Sequence, residues 1–166
     1  DVTHGALIQA TVRRIPAPGL WVRGGEGVGT VTRPGLPVPV GSPAINPTPM
    51  RMIREAANVA LAEMGFGGTG GVEVTLSIPE GSRLAARTLN ARLGILGGLS
   101  ILGTTGIVIP YSVDAYELTI RLALEMAQGV GLEVVVLSTG RSSEKLAQGL
   151  LPPLPVQAFV VAGDHL

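Results

Sequence analysis

The residues whose types and spacing best suit ligand chemistry fall in one glycine-rich stretch, Thr88-Leu89-Asn90-Ala91-Arg92-Leu93-Gly94-Ile95-Leu96-Gly97-Gly98-Leu99-Ser100-Ile101-Leu102-Gly103-Thr104-Thr105-Gly106. Glycines lack a Cβ, so the backbone can turn with positive φ or come close to a bound group. Ser100, Thr104 and Thr105 add hydroxyls able to donate to carboxylate or ribose oxygens. The stretch is not a dinucleotide fingerprint. No G-x-G-x-x-G can be read, and the next helix pattern starts only near Asp114. Strand-to-helix connections in α/β units usually take about 2–6 residues. A buried glycine-rich strand packed against a helix would use the same glycines. Five glycines together with three hydroxyls favour the binding reading.

Two further segments carry small polar residues at predicted strand ends, Ser138-Thr139-Gly140 and Gly163-Asp164. Open parallel sheets bind ligands beyond the carboxyl ends of their strands, so these segments and Gly97–Gly106 are expected to converge. Turns favour the same residue types on their own account. No catalytic constellation accompanies them. His4 and His165 stand at opposite ends without metal-ligand spacing, Ser100 and Ser138 lack the G-x-S-x-G elbow, and no phosphate loop occurs. Arg13, Arg14, Arg23, Arg33, Arg51 and Arg54 lie in the first part, where they could bind carboxylates or simply face solvent.

Composition narrows the classes. Charges balance to zero with no basic run, which argues against a nucleic-acid partner held by phosphate neutralisation. The absence of cysteine removes disulfides and thiolate chemistry and fits a cytoplasmic chain. No apolar run is long enough for a membrane helix. With only 3% aromatic residues, the core must be filled by Val, Leu, Ile and Ala. The chain opens at Asp1 without methionine and stops at Leu166 just after a strand pattern, so both ends read as cuts in a longer protein.

The elements that must position these residues follow from periodicity. Ala6–Ile15 alternates as a half-buried strand; Leu20–Arg23 and Gly27–Thr32 suggest a hairpin or meander around Gly24 and Gly25. Pro34 to Pro47 holds five prolines yet also Leu36, Val38, Val40 and Ile45, which predicts an ordered loop lying on the core and lining a cleft. Thr48 is the predicted cap of a helix whose face is Ile53, Ala56, Ala57, Ala60, Leu61 and Met64, ended by Gly65. Gly67, Gly68, Gly70 and Gly71 form a joint before a strand over Val72–Ile78. Beyond the glycine-rich stretch, Ile107–Ile109 is a short β-branched run, and Asp114 with Glu117 is the predicted capping box of a helix. Leu132–Leu137 reads as a parallel strand covered on both faces, followed by a helix over Ser142–Gly149 and a strand over Val156–Val161. The change of pattern puts a division at Arg87–Thr88: an α+β domain over 1–87 and a parallel α/β domain with a small sheet over 88–166.

Several ordered strings carry a resemblance. Val31-Thr32-Arg33-Pro34-Gly35-Leu36, Ser42-Pro43-Ala44-Ile45-Asn46-Pro47, Asn90-Ala91-Arg92-Leu93-Gly94-Ile95 and Gly97–Gly106, with the opening Asp1-Val2-Thr3-His4-Gly5-Ala6, resemble the cobalt-precorrin-5B C1-methyltransferase (CbiD-like) family of anaerobic cobalamin biosynthesis. The family's T-T-G-T-C-A-A-type run has no counterpart here, nor does the material that follows Gly163-Asp164-His165. The resemblance implies a first part like the second domain of ribosomal protein S5 and a parallel α/β second part. It also implies methyl transfer from S-adenosylmethionine to a cobalt-corrin substrate, with cobalt arriving inside the substrate and no protein metal site.

On that basis Gly97, Gly98, Ser100, Gly103, Thr104, Thr105, Gly106, Ser138, Thr139, Gly140, Gly163 and Asp164 are the expected donor-side residues. Arg33, Asn46, Arg51, Asn90 and Arg92 are expected on the substrate side. A non-catalytic adenosyl- or nucleotide-binding or interaction module remains the alternative. A homo-oligomer is allowed and not specified.

Overall fold

The computed structural model describes residues 2–65, 70–103 and 113–163. Among these residues seven strands and four helices run in the order β1 (Gln9–Ile15), β2 (Gly19–Gly24), β3 (Thr30–Val31), α1 (Pro47–Glu63), β4 (Gly71–Ser77), α2 (Gly81–Ala85), β5 (Ile95–Leu96), α3 (Val113–Gly129), β6 (Val136–Ser138), α4 (Arg141–Leu150) and β7 (Phe159–Val161). They make a mixed α/β protein of three small sheets, ordered β1-β4-β2, β3-β5 and β6-β7. Two compact units divide the chain, the first from Asp1–Thr32, Pro37–Ala91 and Ile95–Ile107, the second from Arg33–Leu36, Arg92–Gly94 and Val108–Leu166. The chain thus passes between units more than once, whereas the sequence suggested a single division at Arg87–Thr88.

In the first unit β4 is the central strand, antiparallel to β1 and parallel to β2. The expected hairpin or meander of β2 and β3 does not form. The physical reason is that β4 carries the most apolar face available, Val72, Val74 and Leu76, and β2 gains more by pairing beside it. The Gly24–Gly25 turn then hugs the end of β4 through Gly25 N–H to Leu76 C=O at 2.6 Å. Met50, Ile53, Ala57 and Leu61 of α1 pack with Leu20 and Val22 on that apolar face. Each fully buried aliphatic side chain contributes roughly 1.5–3 kcal/mol. Ala56, Ala60 and Met64, expected in the helix face, are exposed instead. β1 is an edge strand exposed along nearly its whole length, Val12 included, rather than half-buried.

Asn46, not Thr48, is the N-cap of α1. Pro47 takes the first helical position, where a missing N–H costs nothing, and this starts the helix two residues earlier than predicted. Of the proline-rich loop, Val38 and Ile45 are buried and Leu36 is partly buried, while Val40 faces solvent.

In the second unit β6 and β7 are parallel, and α4 packs on both. Met126 and Ala127 of α3, Ala158, Phe159, Val160 and Ala162 form its buried set. Gly35 has φ +103°, and a Cβ there would lie 2.5 Å from the Met126 Cα, so only glycine lets this segment cross α3. Three expectations are corrected. The strand predicted over Leu132–Leu137 is the three-residue β6, with Val134 and Leu137 exposed, because among the described residues it has one partner strand and not two. Val156–Ala158 is a 3-10 turn, and only Phe159–Val161 is extended. Asp114 lies inside the first turn of α3 and is not its cap, although its charge still suits the positive helix end. Ile107–Ile109, Gly67 and Gly68 lie outside the described residues.

Candidate functional site

In the first unit the glycine-rich stretch is woven through the backbone around it. β5 runs antiparallel to β3, yet three residues after its end Leu99 bridges Val28 in parallel sense and Ile101 bridges Ile45 likewise. The chain reverses at Gly97, which has φ +84° and open space at its missing Cβ. Gly98 serves a different end. A Cβ on it would stand 2.1 Å from the Gly27 carbonyl oxygen, because Leu99 N–H donates to that carbonyl at 2.9 Å. Gly81 approaches the same carbonyl as closely. Three backbone segments therefore meet where no side chain fits.

Asn90 ties this turn together and is buried. Its Nδ2 donates to the Gly98 carbonyl at 3.0 Å, and its Oδ1 accepts from Ser100 Oγ at 3.4 Å. Asn46 N–H donates to the Ile101 carbonyl at 2.9 Å, so the end of the proline-rich loop runs beside the glycine-rich stretch. The Asn46 side chain makes no capping bond to α1. Asn46, Asn90, Gly97, Gly98 and Ser100 are thus brought into one neighbourhood, with Gly103 two residues beyond Ile101 at φ +136°. Arg51 lies apart on α1, exposed, 3.7 Å from Glu55.

In the second unit the carboxyl ends of β6 and β7 share one edge, since the strands are parallel and Ala162 N–H donates to the Ser138 carbonyl at 2.8 Å. Ser138 is buried, with its hydroxyl 3.5 Å from the Val160 carbonyl. Thr139 is exposed, and its hydroxyl lies 3.4 Å from Ser143 Oγ. Gly140 is the N-cap of α4 in extended conformation; its N–H donates to Ser143 Oγ at 3.1 Å, and nothing lies near its missing Cβ. Gly163, at φ +57°, sits so near the Tyr116 hydroxyl that a Cβ would be 2.7 Å from it. Ser138, Thr139, Gly140 and Gly163 are therefore neighbours at one open edge. Thr104, Thr105, Gly106 and Asp164 lie outside the described residues.

The two remaining arginines also belong to the second unit. Arg92 Nη2 donates to Glu144 Oε1 and to the Phe159 carbonyl, both at 2.5 Å, which fastens this segment to α4 and to the start of β7. Arg33 lies against Gly94, where a Cβ would meet its Cβ at 2.8 Å. Among the described residues there is no cluster of His, Asp or Glu able to hold a metal ion, and no buried side-chain polar atom lacks a partner.

One constellation escaped the sequence reading. Glu73, in the middle of β4, is only 3% exposed although it is charged. Arg13 Nε from β1 donates to its Oε1 at 2.7 Å, and Arg23 Nε from β2 donates to its Oε2. The hydrogen bond from Arg23, helped by Arg13 and opposed by burial, holds the Glu73 carboxyl below its ordinary value. The partners lie 60 and 50 residues away in sequence. Only the polar interruption between Val72 and Val74 hints at the pair beforehand.

One small mixed sheet, a wholly parallel strand pair with polar residues at its carboxyl edge, and a glycine turn locked by an asparagine define a mixed α/β protein outside the common dinucleotide-binding pattern. The chain belongs to the CbiD family, whose model matches residues 1–110. It is 54% identical over its whole length to the cobalt-precorrin-5B C(1)-methyltransferase of Geobacillus kaustophilus, covering 44% of that protein. It is 52% identical to the protein of the same name from Thermus thermophilus, covering 43% of it. The chain therefore spans less than half the length of these curated relatives. The crystal structure of the cobalamin biosynthesis protein (cbiD) from Archaeoglobus fulgidus is similar with a TM-score of 0.51 and 30% identity, over 99% of this chain and 50% of that one. No helix among the described residues is long and apolar enough to cross a membrane.

Proposed function

We propose that this chain takes part in the C-methylation of cobalt-precorrin-5B at ring carbon C1, giving cobalt-precorrin-6A in the cytoplasm during anaerobic cobalamin biosynthesis. The observation that carries the reading is identity of about one half along the whole chain to relatives that bear this activity in their names. A fold like the second domain of ribosomal protein S5 for residues 1–87 is part of the same proposal.

S-adenosylmethionine is the proposed methyl donor; its sulfonium supplies a methyl activated for transfer, and the ring carbon supplies the electron pair. What the chain must contribute is position and exclusion of water, so the lack of a catalytic triad is no obstacle. The carboxyl edge of β6 and β7 suits an adenosyl group: Gly140 leaves room for close approach, and the exposed Thr139 hydroxyl can exchange hydrogen bonds with ribose. Ser138 and Gly163 shape the same edge, with Asp164 next in sequence as a carboxylate for ribose or the amino group. Gly97, Gly98, Ser100, Gly103, Thr104, Thr105 and Gly106 are retained as donor-side candidates, and Arg33, Asn46, Arg51, Asn90 and Arg92 as substrate-side candidates. Gly98 and Asn90 act through the shape of the turn.

Calorimetric titration with S-adenosylhomocysteine is the test. Saturable binding that Thr139→Val and Gly140→Val each weaken at least tenfold, with unchanged circular dichroism, supports the reading. Absence of binding, in this chain and in a full-length relative alike, removes the donor from the scheme.

A further inference from the structure

The constellation around Glu73 does work that stability alone does not require. β4 turns Val72, Val74 and Leu76 toward the core, and the opposite face carries Glu73, Thr75 and Ser77. In register on that face stand Arg13 of β1 and Trp21 and Arg23 of β2. Thr11, Arg13, Trp21 and Arg23 are exposed, so among the described residues nothing covers this side of the sheet. Glu73 is nevertheless buried, because the two arginine side chains close over it. A solvated face could carry neutral residues such as Thr11 and Thr75 without burying any charge. A buried carboxylate that needs two guanidiniums is weak evidence for stabilisation.

The arrangement has a second consequence. Arg13 and Arg23 remain 67% and 62% exposed while their inner N–H groups are held by Glu73. Each guanidinium has five donors, so outward-facing donors remain on both. Their side-chain freedom is already restricted, which lowers the entropy lost on binding. The cluster carries two positive charges against one negative. Strands lie about 4.8 Å apart, so the arginines rise from backbones about 10 Å apart on either side of β4. Trp21, half exposed, lies beside them, and its indole N–H is held by the Pro18 carbonyl at 3.3 Å.

We propose that this open face is a docking surface for a flat, polycarboxylate ligand, with Arg13 and Arg23 gripping acid side chains and Trp21 meeting the ring system. The inference rests on the reading of the chain as part of a corrin methyltransferase, since it assigns the acid groups of that substrate to residues outside the donor edge. Glu73 is a positioning residue that fixes both guanidiniums.

Trp21 is the sole tryptophan, so its fluorescence reports on this face directly. The 166-residue chain is titrated with cobyrinic acid, a corrin with free acetate and propionate groups, and in parallel with cobinamide, whose side chains are amides. Saturable quenching by cobyrinic acid, at least tenfold tighter than by cobinamide and weakened by salt, is expected. Arg13→Gln and Arg23→Gln each weaken it about tenfold, or about 1.4 kcal/mol, with circular dichroism unchanged; Arg54→Gln on α1 does not. Equal response to both corrins, unaltered binding in folded arginine variants, or no saturable quenching overturns the proposal. So does dimerisation that the arginine variants abolish, which gives the face to a second copy. Donor binding is measured separately, so either reading can fail without the other.

Discussion

Replacing Gly98 by alanine separates the architectural role of the glycine-rich stretch from a ligand-binding one. The added Cβ would stand 2.1 Å from the Gly27 oxygen and 2.3 Å from its carbon, both backbone atoms that cannot rotate away. Relief to ordinary contact moves the segments apart by about 1 Å, which strains Leu99 N–H to Gly27 C=O and Gly29 N–H to Leu99 C=O. Overpacking costs about 1–3 kcal/mol, and two weakened hydrogen bonds add roughly 0.5–1.5 kcal/mol each. The expected loss is therefore about 2–6 kcal/mol. Gly97→Ala has open space and bears only left-handed strain, about 1–2 kcal/mol. Gly140→Ala, extended and unobstructed, should be within about 0.5 kcal/mol of the parent. Urea denaturation followed by Trp21, which belongs to the same unit as Gly98, gives the midpoints. If Gly98→Ala loses no more than Gly97→Ala, the three-segment crossing is not what requires glycine.

Two more outcomes follow from the ion pairs. Glu73 has a folded-state value held below its ordinary 4.5, so its contribution is complete above that pH and is lost as pH falls through the lowered value. Acid titration of the first unit should show this loss in the parent and not in Glu73→Gln; parallel acid profiles would refute it. In the second unit, a double-mutant cycle of Arg92→Ala and Glu144→Gln should give a coupling of about 1 kcal/mol, since Glu144 is buried and Arg92 only partly so; additive losses would show that the pair contributes nothing.

Periodicity made the main elements legible: the α1 helix, the β4 strand, the α4 helix and the parallel pairing of the last two strands all follow from local pattern. Glycine positions were legible too, but not their reasons. Gly97 turns the chain, Gly98 admits the Gly27 carbonyl and Gly35 lets a loop cross α3, three different demands that a single sequence writes with the same letter. Partners distant in sequence lay beyond reach. β2 pairs with β4 across nearly fifty intervening residues, because burial of the apolar face outweighs a local hairpin. The joining of Arg13, Arg23 and Glu73 depends on strand order, which no spacing encodes. Local residue types marked α1, β4 and α4, since those preferences act within a few residues, while the strand patterns over Leu132–Leu137 and Val156–Val161 were cut to three residues each by their tertiary setting. Only the folded chain decided which charged groups would meet, because Coulomb and hydrogen-bond energies depend on distance in space and not along the chain.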